Sequence, residues 1–303
     1  MDIGRLRALR ELAVRKTMSA VAEALCVTPS AISQQIALLE EEAGLPLVER
    51  RGRGVRLTAA GERLASHAER IITVVEEARA ELAALKQVVS GELRVAAFPS
   101  AAAVLIPPTM KALEAQYPRL MITLQEMEAA EGLAALRAWQ VDAALIDDLT
   151  ITPALLESNV DTAPLMDDWL CAVLPGGHRL AARGTVSIGD LRDERWAVDS
   201  ASAAFGNVIR GACHAAGFEP TINAGFTGLH VVLALVEAEC SISILPGLII
   251  GPYAERLCIR RIAPGIRRRI SVATRRSERT SPAIGALLGE LVAQAARRFP
   301  PGG

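Results

Sequence analysis

Aromatic side chains are scarce in this chain of 303 residues: Phe, Tyr and Trp together make up 3%. An apolar content of 51% must therefore fill its cores with Ala, Leu, Val and Ile, which suits helices and parallel sheets and argues against an aromatic-rich β-sandwich. Cysteine is sparse and unpatterned. Cys26, Cys171, Cys213, Cys240 and Cys258 are odd in number and never spaced as a CxxC pair or as metal ligands. Reduced structural thiols are expected, with no metal and no cofactor. Long apolar runs are missing as well: the most apolar stretch, 229–250, is broken by Glu237, Glu239 and Pro246, short of the roughly 20 residues that a membrane span needs. The start, MDIGRLRALREL, lacks the charged-then-apolar layout of a secretory leader, so a soluble cytoplasmic protein is expected. The net charge of -1 gives no global basic field, and any affinity for a polyanion must come from local patches. Also absent are a GxSxG elbow, a P-loop, a GxGxxG after a strand and an HExxH pair, while His67, His178, His214 and His230 are scattered. No catalytic residue is assigned.

The length allows two or three compact units. Leu6, Leu9, Leu12 and Ala13 recur at helical spacing in an opening helix over 5–14, and a second short helix fits 19–25 with Ser19 as its N-cap. A third begins at Thr28, whose hydroxyl can cap; Pro29 occupies the first helical position, and Ile32, Ile36 and Leu39 form a buried stripe. Two helices joined by so short a turn cross steeply, which is helix-turn-helix geometry. Ser33, Gln34 and Gln35 then project away from the small core, where glutamine can bond adenine edges and hydroxyls can reach phosphates. After a turn at Gly44, strands over 46–50 and 55–57 flank a basic tip, Arg51-Gly52-Arg53-Gly54, suited to a minor groove.

From Thr58 a long helix carries Leu64, Ala68, Ile71, Val75, Ala78, Leu82, Leu85 and Val89 in alternating steps of four and three. One helix cannot bury such a heptad seam alone, so a second copy of the chain is expected to pair with it. Beyond Ser90-Gly91 strands and helices alternate: 93–98, 106–118, 121–128, then the helix EGLAALRAWQ and the strand VDAALID. A linker near 150–160 precedes a second set, with strands at 169–174, 195–200, 221–226 and SISIL, and helices at 205–217 and 228–238. A last strand over 267–276 is followed by a last helix over 282–299. Such alternation predicts two α/β subdomains with a ligand cleft at the carboxyl ends of their strands. Arg267-Arg268-Arg269 and Arg275-Arg276 read as a solvated strand edge.

Taken end to end, the chain resembles the LysR-type transcriptional regulators of bacteria. The most specific part is AEALCVTPSAISQQIALLEEEAGLPLVERRGRGVRLTAAG (22–61); weaker matches include Gly91-Glu92-Leu93-Arg94-Val95, Tyr117-Pro118, Val141-Asp142-Ala143, Pro175-Gly176-Gly177-His178, Ala216-Gly217-Phe218 and Leu245-Pro246. The resemblance implies a winged helix-turn-helix over 1–58, a dimerising linker helix over 59–89, and an effector domain over 90–303 built like the periplasmic binding proteins. Subdomain I would comprise 91–161 with 266–303, and subdomain II 162–265. It further implies promoter DNA as partner, a homodimer or homotetramer, no membrane, and a small-molecule effector, an amino acid or a carboxylate. Carried over residue by residue, Thr28, Pro29, Ser30, Ser33, Gln34, Gln35, Arg51 and Arg53 would meet DNA, and Leu64, Ile71, Val75, Leu82 and Leu85 would hold the dimer. Ser100, Ala101, Glu128, Ala129, Asp147, Ser200, Ser202, Phe226 and Thr227 would meet the effector. Ser100, Ser200, Ser202 and Thr227 suit an anion at helix N-termini, whereas Glu128 and Asp147 favour a cationic group. One departure stands before Leu245-Pro246, where Ala238-Glu239-Cys240-Ser241 replaces a small Ala-Gly-x-Gly turn.

Overall fold

The computed structural model describes residues 1–25, 27–51, 54–85, 89–156 and 159–298, with the side chains of Arg50, Arg51, Gly54, Glu76, Arg79, Ala80 and 83–85 left aside. The amino-terminal head comprises α1 (Ile3–Arg15), α2 (Met18–Ala24), α3 (Pro29–Ala43) and the antiparallel pair β1 (Val48–Arg51) and β2 (Gly54–Leu57). Thr17, not Ser19, caps α2: its side chain accepts from the Ala20 N–H. Thr28 caps α3 as expected, accepting from the Ala31 N–H at 3.2 Å, with Pro29 next in line. Leu6, Leu9, Leu12, Val21, Ile32, Ile36, Leu39 and Leu47 make the core of the head.

The long helix α4 (Ala59–Leu85) leaves this core directly. Thr58 Oγ1 accepts from the Gly61 N–H and donates to the Pro46 carbonyl, pinning the helix start to the wing. A Cβ at Gly61 would lie 2.0 Å from the Leu47 carbonyl oxygen, so the close approach of the two backbones here demands glycine. The helix does not present one uniform seam. Ala65, Ala68 and Ile72 are buried on the head core and Leu64 packs against it, whereas Ile71, Val74 and Leu82 are exposed.

The carboxyl-terminal part comprises β3 (Gly91–Ala97), α5 (Pro99–Val104), α6 (Ile106–Gln116), β4 (Leu120–Glu126), α7 (Ala129–Arg137), β5 (Ala143–Asp147) and β6 (Val160–Leu174). There follow β7 (Thr185–Val186), β8 (Arg195–Asp199), α8 (Ala203–Ala215), β9 (Thr221–Phe226), α9 (Leu229–Glu237) and β10 (Ser243–Pro246). The last elements are α10 (Gly247–Ile250), β11 (Cys258–Ile262), β12 (Arg267–Arg275) and α11 (Pro282–Arg298). Strands β3, β4 and β5 run parallel as expected, and β12 inserts antiparallel between β5 and β6. β12 is therefore an interior strand, and the expected solvated edge is not there. Strand β6 is far longer than expected. Its first half pairs with β12, and its second half carries β10 and β11 of the other subdomain. One core, around Val95, Leu136, Leu145 and Val272, lies in the first subdomain; Trp196, Leu174 and Ile209 centre another in the second.

Candidate DNA interface and effector cleft

On the head, α3 holds Thr28, Pro29, Ser30, Ser33 and Gln34 exposed, while Ile32, Ile36 and Leu39 face inward. Gln35 is half-buried, less exposed than Gln34. Glu40 Oε1 accepts from the N–H groups of Leu47 at 2.7 Å and Val48 at 3.1 Å, fixing the wing to the recognition helix. Arg51 closes β1 at the wing tip; its side chain, like the whole of Arg53, lies outside the described residues. Leu85 is the last residue of α4, and its side chain too lies outside them.

The cleft forms where strands of both subdomains end. A cavity of about 90 Å³ is lined from the first subdomain by Phe98, Ser100, Glu128 and Asp147, and from the second by Asp199, Ser202, Phe205, Phe226 and Thr227. It thus gathers Ser100, Glu128, Asp147, Ser202, Phe226 and Thr227 of the expected effector residues. It does not gather Ala101, Ala129 or Ser200. Ala101 sits in α5 and points into the core, because Pro99 starts a helix where a loop was expected. Ala129 is buried in the same core at the start of α7, and the Ser200 hydroxyl is spent on the Phe226 carbonyl at 2.9 Å.

Arg268 was not foreseen at this site. Its guanidinium is buried, donates to Asp168 Oδ2 at 2.9 Å and to Ser100 Oγ at 2.7 Å, and lies 4.9 Å from the Phe98 ring centroid. Asp168 is equally buried; desolvation pushes its carboxyl up although Arg268 and the Leu248 N–H pull it down. Arginine and aspartate are therefore committed to each other. Alternation along β12 is the signal that could have found Arg268, since neighbours of a strand residue point to opposite faces.

The carboxylates of the cleft serve as local caps. Asp147 accepts from the N–H groups of Leu149 and Thr150 and from the Thr150 hydroxyl, and Asp199 accepts from Ala201 and Ser202 N–H. Glu128 reaches across the cleft to Ser202. Its carboxyl is pushed up, first by burial and further by the like charges of Asp199, Glu131 and Asp147, against the Ser202 hydrogen bond that pulls it down.

Elsewhere, burial raises the thiols of Cys171, Cys213 and Cys258, that of Cys213 to about 11. His178 pairs with Glu194 at 3.2 Å, and His214 pairs with Glu219. Among the described residues no group of three or more His, Cys, Asp and Glu could hold a metal ion, and no helix is long and apolar enough to cross a membrane.

An exposed three-helix reading head joined by a long helix to a two-lobed α/β domain with a cleft defines a ligand-responsive DNA-binding protein. Comparison with known proteins gives the family. Residues 3–62 match the bacterial regulatory helix-turn-helix protein, lysR family, and residues 86–296 match the LysR substrate binding domain. The chain belongs to the LysR family of transcriptional regulators, which are DNA-binding regulators and not enzymes. Regulators of this family bind promoter DNA, respond to small molecules and form oligomers. It is 26% identical over 246 residues to the transcriptional dual regulator GltC of Bacillus subtilis, covering 81% of each chain. It is likewise 26% identical over 256 residues to the dual regulator OxyR of Escherichia coli, covering 84% of this chain and 82% of that one. Full-length OxyR C199D from Pseudomonas aeruginosa shares the fold with a TM-score of 0.70 at 24% identity, over 96% of this chain and 94% of that one.

Proposed function

We propose that this regulator reads a promoter with Thr28, Pro29, Ser30, Ser33, Gln34, Gln35 and the wing arginines Arg51 and Arg53, and responds in the cytoplasm to a small organic amine held in its cleft. The division into a head over 1–58, a linker over 59–89 and an effector domain over 90–303 accounts for these tasks, with Ile71, Val75, Leu82 and Leu85 joining two copies.

The observation that carries the choice of effector is the charge of the cleft. Glu128, Asp147 and Asp199 line it, and Arg268, the cation among its described lining residues, is already paired with Asp168. The start of α7 carries the protein's own Glu128, and Asp199 takes the Ala201 and Ser202 N–H groups just ahead of α8, so an anionic effector would meet carboxylates at both places. Phe98, Phe205 and Phe226 supply apolar faces that accept a cation or an organic body. An amine, including the ammonium of an amino acid, fits this lining; a simple carboxylate does not.

A thermal-shift panel of full-length protein with agmatine, benzylamine and phenethylamine against benzoate, phenylacetate and benzyl alcohol tests the reading. Stabilisation by amines, reduced roughly tenfold in affinity by Glu128→Gln, is expected. Binding of the carboxylates alone would contradict it.

Some relatives carry the name hydrogen peroxide-inducible genes activator, but peroxide sensing by Cys171, Cys213 or Cys258 draws no support from their surroundings. The nucleophile in that chemistry is the thiolate, and Cys171, Cys213 and Cys258 are held toward the protonated form.

A further inference from the structure

Helix α7 links two sites. At its amino end Glu128 faces the effector cleft; its carboxyl end runs into Arg137-Ala138-Trp139-Gln140, which lies against the DNA-binding head. The head contact is specific. Arg10 of α1, itself buried, donates to the Arg137 carbonyl at 2.8 Å, and Gln140 Nε2 donates at 2.6 Å to the carbonyl of Ala24, the last residue of α2. Ala24 immediately precedes the turn into α3, so this bond ends at the base of the recognition helix.

Trp139 packs against the core of the head and lies between two guanidiniums. The Arg7 guanidinium carbon stands 5.6 Å from its ring centroid on the head side, and that of Arg275 stands 4.1 Å away on the effector-domain side. The indole is held there by a left-handed backbone, φ 61°, a conformation that an L residue other than glycine adopts at a cost of roughly 1 kcal/mol or more.

The helix between these ends is firmly seated. Leu133 and Leu136 are buried, and a Cβ at Gly132 would meet the Ala96 Cβ at 3.2 Å, so α7 rides close on β3 and moves as one body with that edge of the cleft. The head contact, by contrast, borders a gap. A cavity of about 500 Å³ opens between Arg10, Val14 and Glu69 on one side and Ala134 and Arg137 on the other. A contact made beside such a gap can open without unfolding either domain.

We propose that α7 couples the cleft to the DNA-binding head: docking of the Arg137–Gln140 turn on α1 and α2 and the state of the cleft at Glu128 form one equilibrium. This rests on the effector reading of the cleft but is carried by the head contact. Trp139 and Gln140 act as positioning residues, and by linkage DNA bound to the head must alter the cleft as much as a cleft ligand alters DNA binding.

That reciprocity gives a test needing no known effector. Amide hydrogen exchange of the full-length protein is followed with and without a random-sequence duplex of about 30 base pairs at low salt, where non-specific binding is strong. In the wild type the duplex is expected to change exchange over 98–102 and 129–140 by roughly fivefold or more. In Trp139→Ala that response is lost while the duplex still binds; Gln140→Ala provides the same readout if the first variant fails to fold. No response in the wild type, or an undiminished response in the variants, overturns the coupling. Failure of every amine to bind would instead remove the effector class and leave this result standing.

Discussion

Glu128 combines burial, three neighbouring carboxylates and one hydroxyl partner, and its raised titration has a consequence for binding. A cation beside it favours the charged form, so amine binding expels a proton wherever free Glu128 is protonated. The sign is therefore fixed: affinity for an amine rises with pH from the ordinary carboxylate range through the raised value, then levels off. For folding alone the sign is opposite, since a raised carboxyl contributes less stability as pH climbs through the same window. Calorimetry of benzylamine binding across mildly acidic pH checks this, and a pH-independent affinity would remove Glu128 from the contact. Glu239 permits a second prediction. It adopts φ 58° after α9, at the place where the family's small turn brings glycine, so the backbone shape survives the substitution at the expense of strain. Glu239→Gly should raise stability by about 0.5–1 kcal/mol, read as a higher Tm, because glycine removes the left-handed penalty but loses more chain entropy on folding.

Among the elements, α4 divides its labour. Its first turns cover the head through Ala65, Ala68 and Ile72, so the seam read from the sequence is partly spent within one chain. Ile71, Val74 and Leu82 remain exposed, the last two 61% each, and an apolar stripe of that exposure on a long helix calls for a partner. Leu82→Glu should shift sedimentation toward smaller species with the head still folded; unchanged assembly would take this helix out of the interface. The reading helix, its proline start and the wing were legible because caps, turns and helical period are local signals. Arg268 was not. Alternation along β12 could have turned its side chain inward, but its partner Asp168 stands a hundred positions away in sequence, and nothing local announces which residue it pairs with. Strand β6 was shortened in the same way: Asp161, Pro164, Asp167 and Asp168 give its first half the composition of a linker, yet pairing with β12 makes it a strand. Helix α5 escaped because six residues carry too little periodicity, and Pro107-Pro108 marked the later start at α6.

For the whole molecule, the family match fixes what the two ends do, and the geometry explains how one chain does both. One long strand, β6, serves both lobes of the effector domain, pairing with β12 in the first and with β10 and β11 in the second, so the cleft lies between bodies that share a strand. The same domain touches the head through Trp139 and Gln140 and the linker through Asn159, which donates to Glu69 at 3.2 Å. With a net charge of -1, affinity for DNA must come from local patches, proposed to lie on α3 and the wing, with discrimination proposed to come from base contacts there. The most direct measurement is the affinity of the full-length protein at physiological salt for a duplex selected from a randomised library, set against a random duplex of equal length. We expect the selected site to bind roughly a thousandfold or more tighter, with Gln34→Ala lowering that ratio by losing more at the selected site than at random DNA. Equal affinity of the wild type for both duplexes would contradict the account.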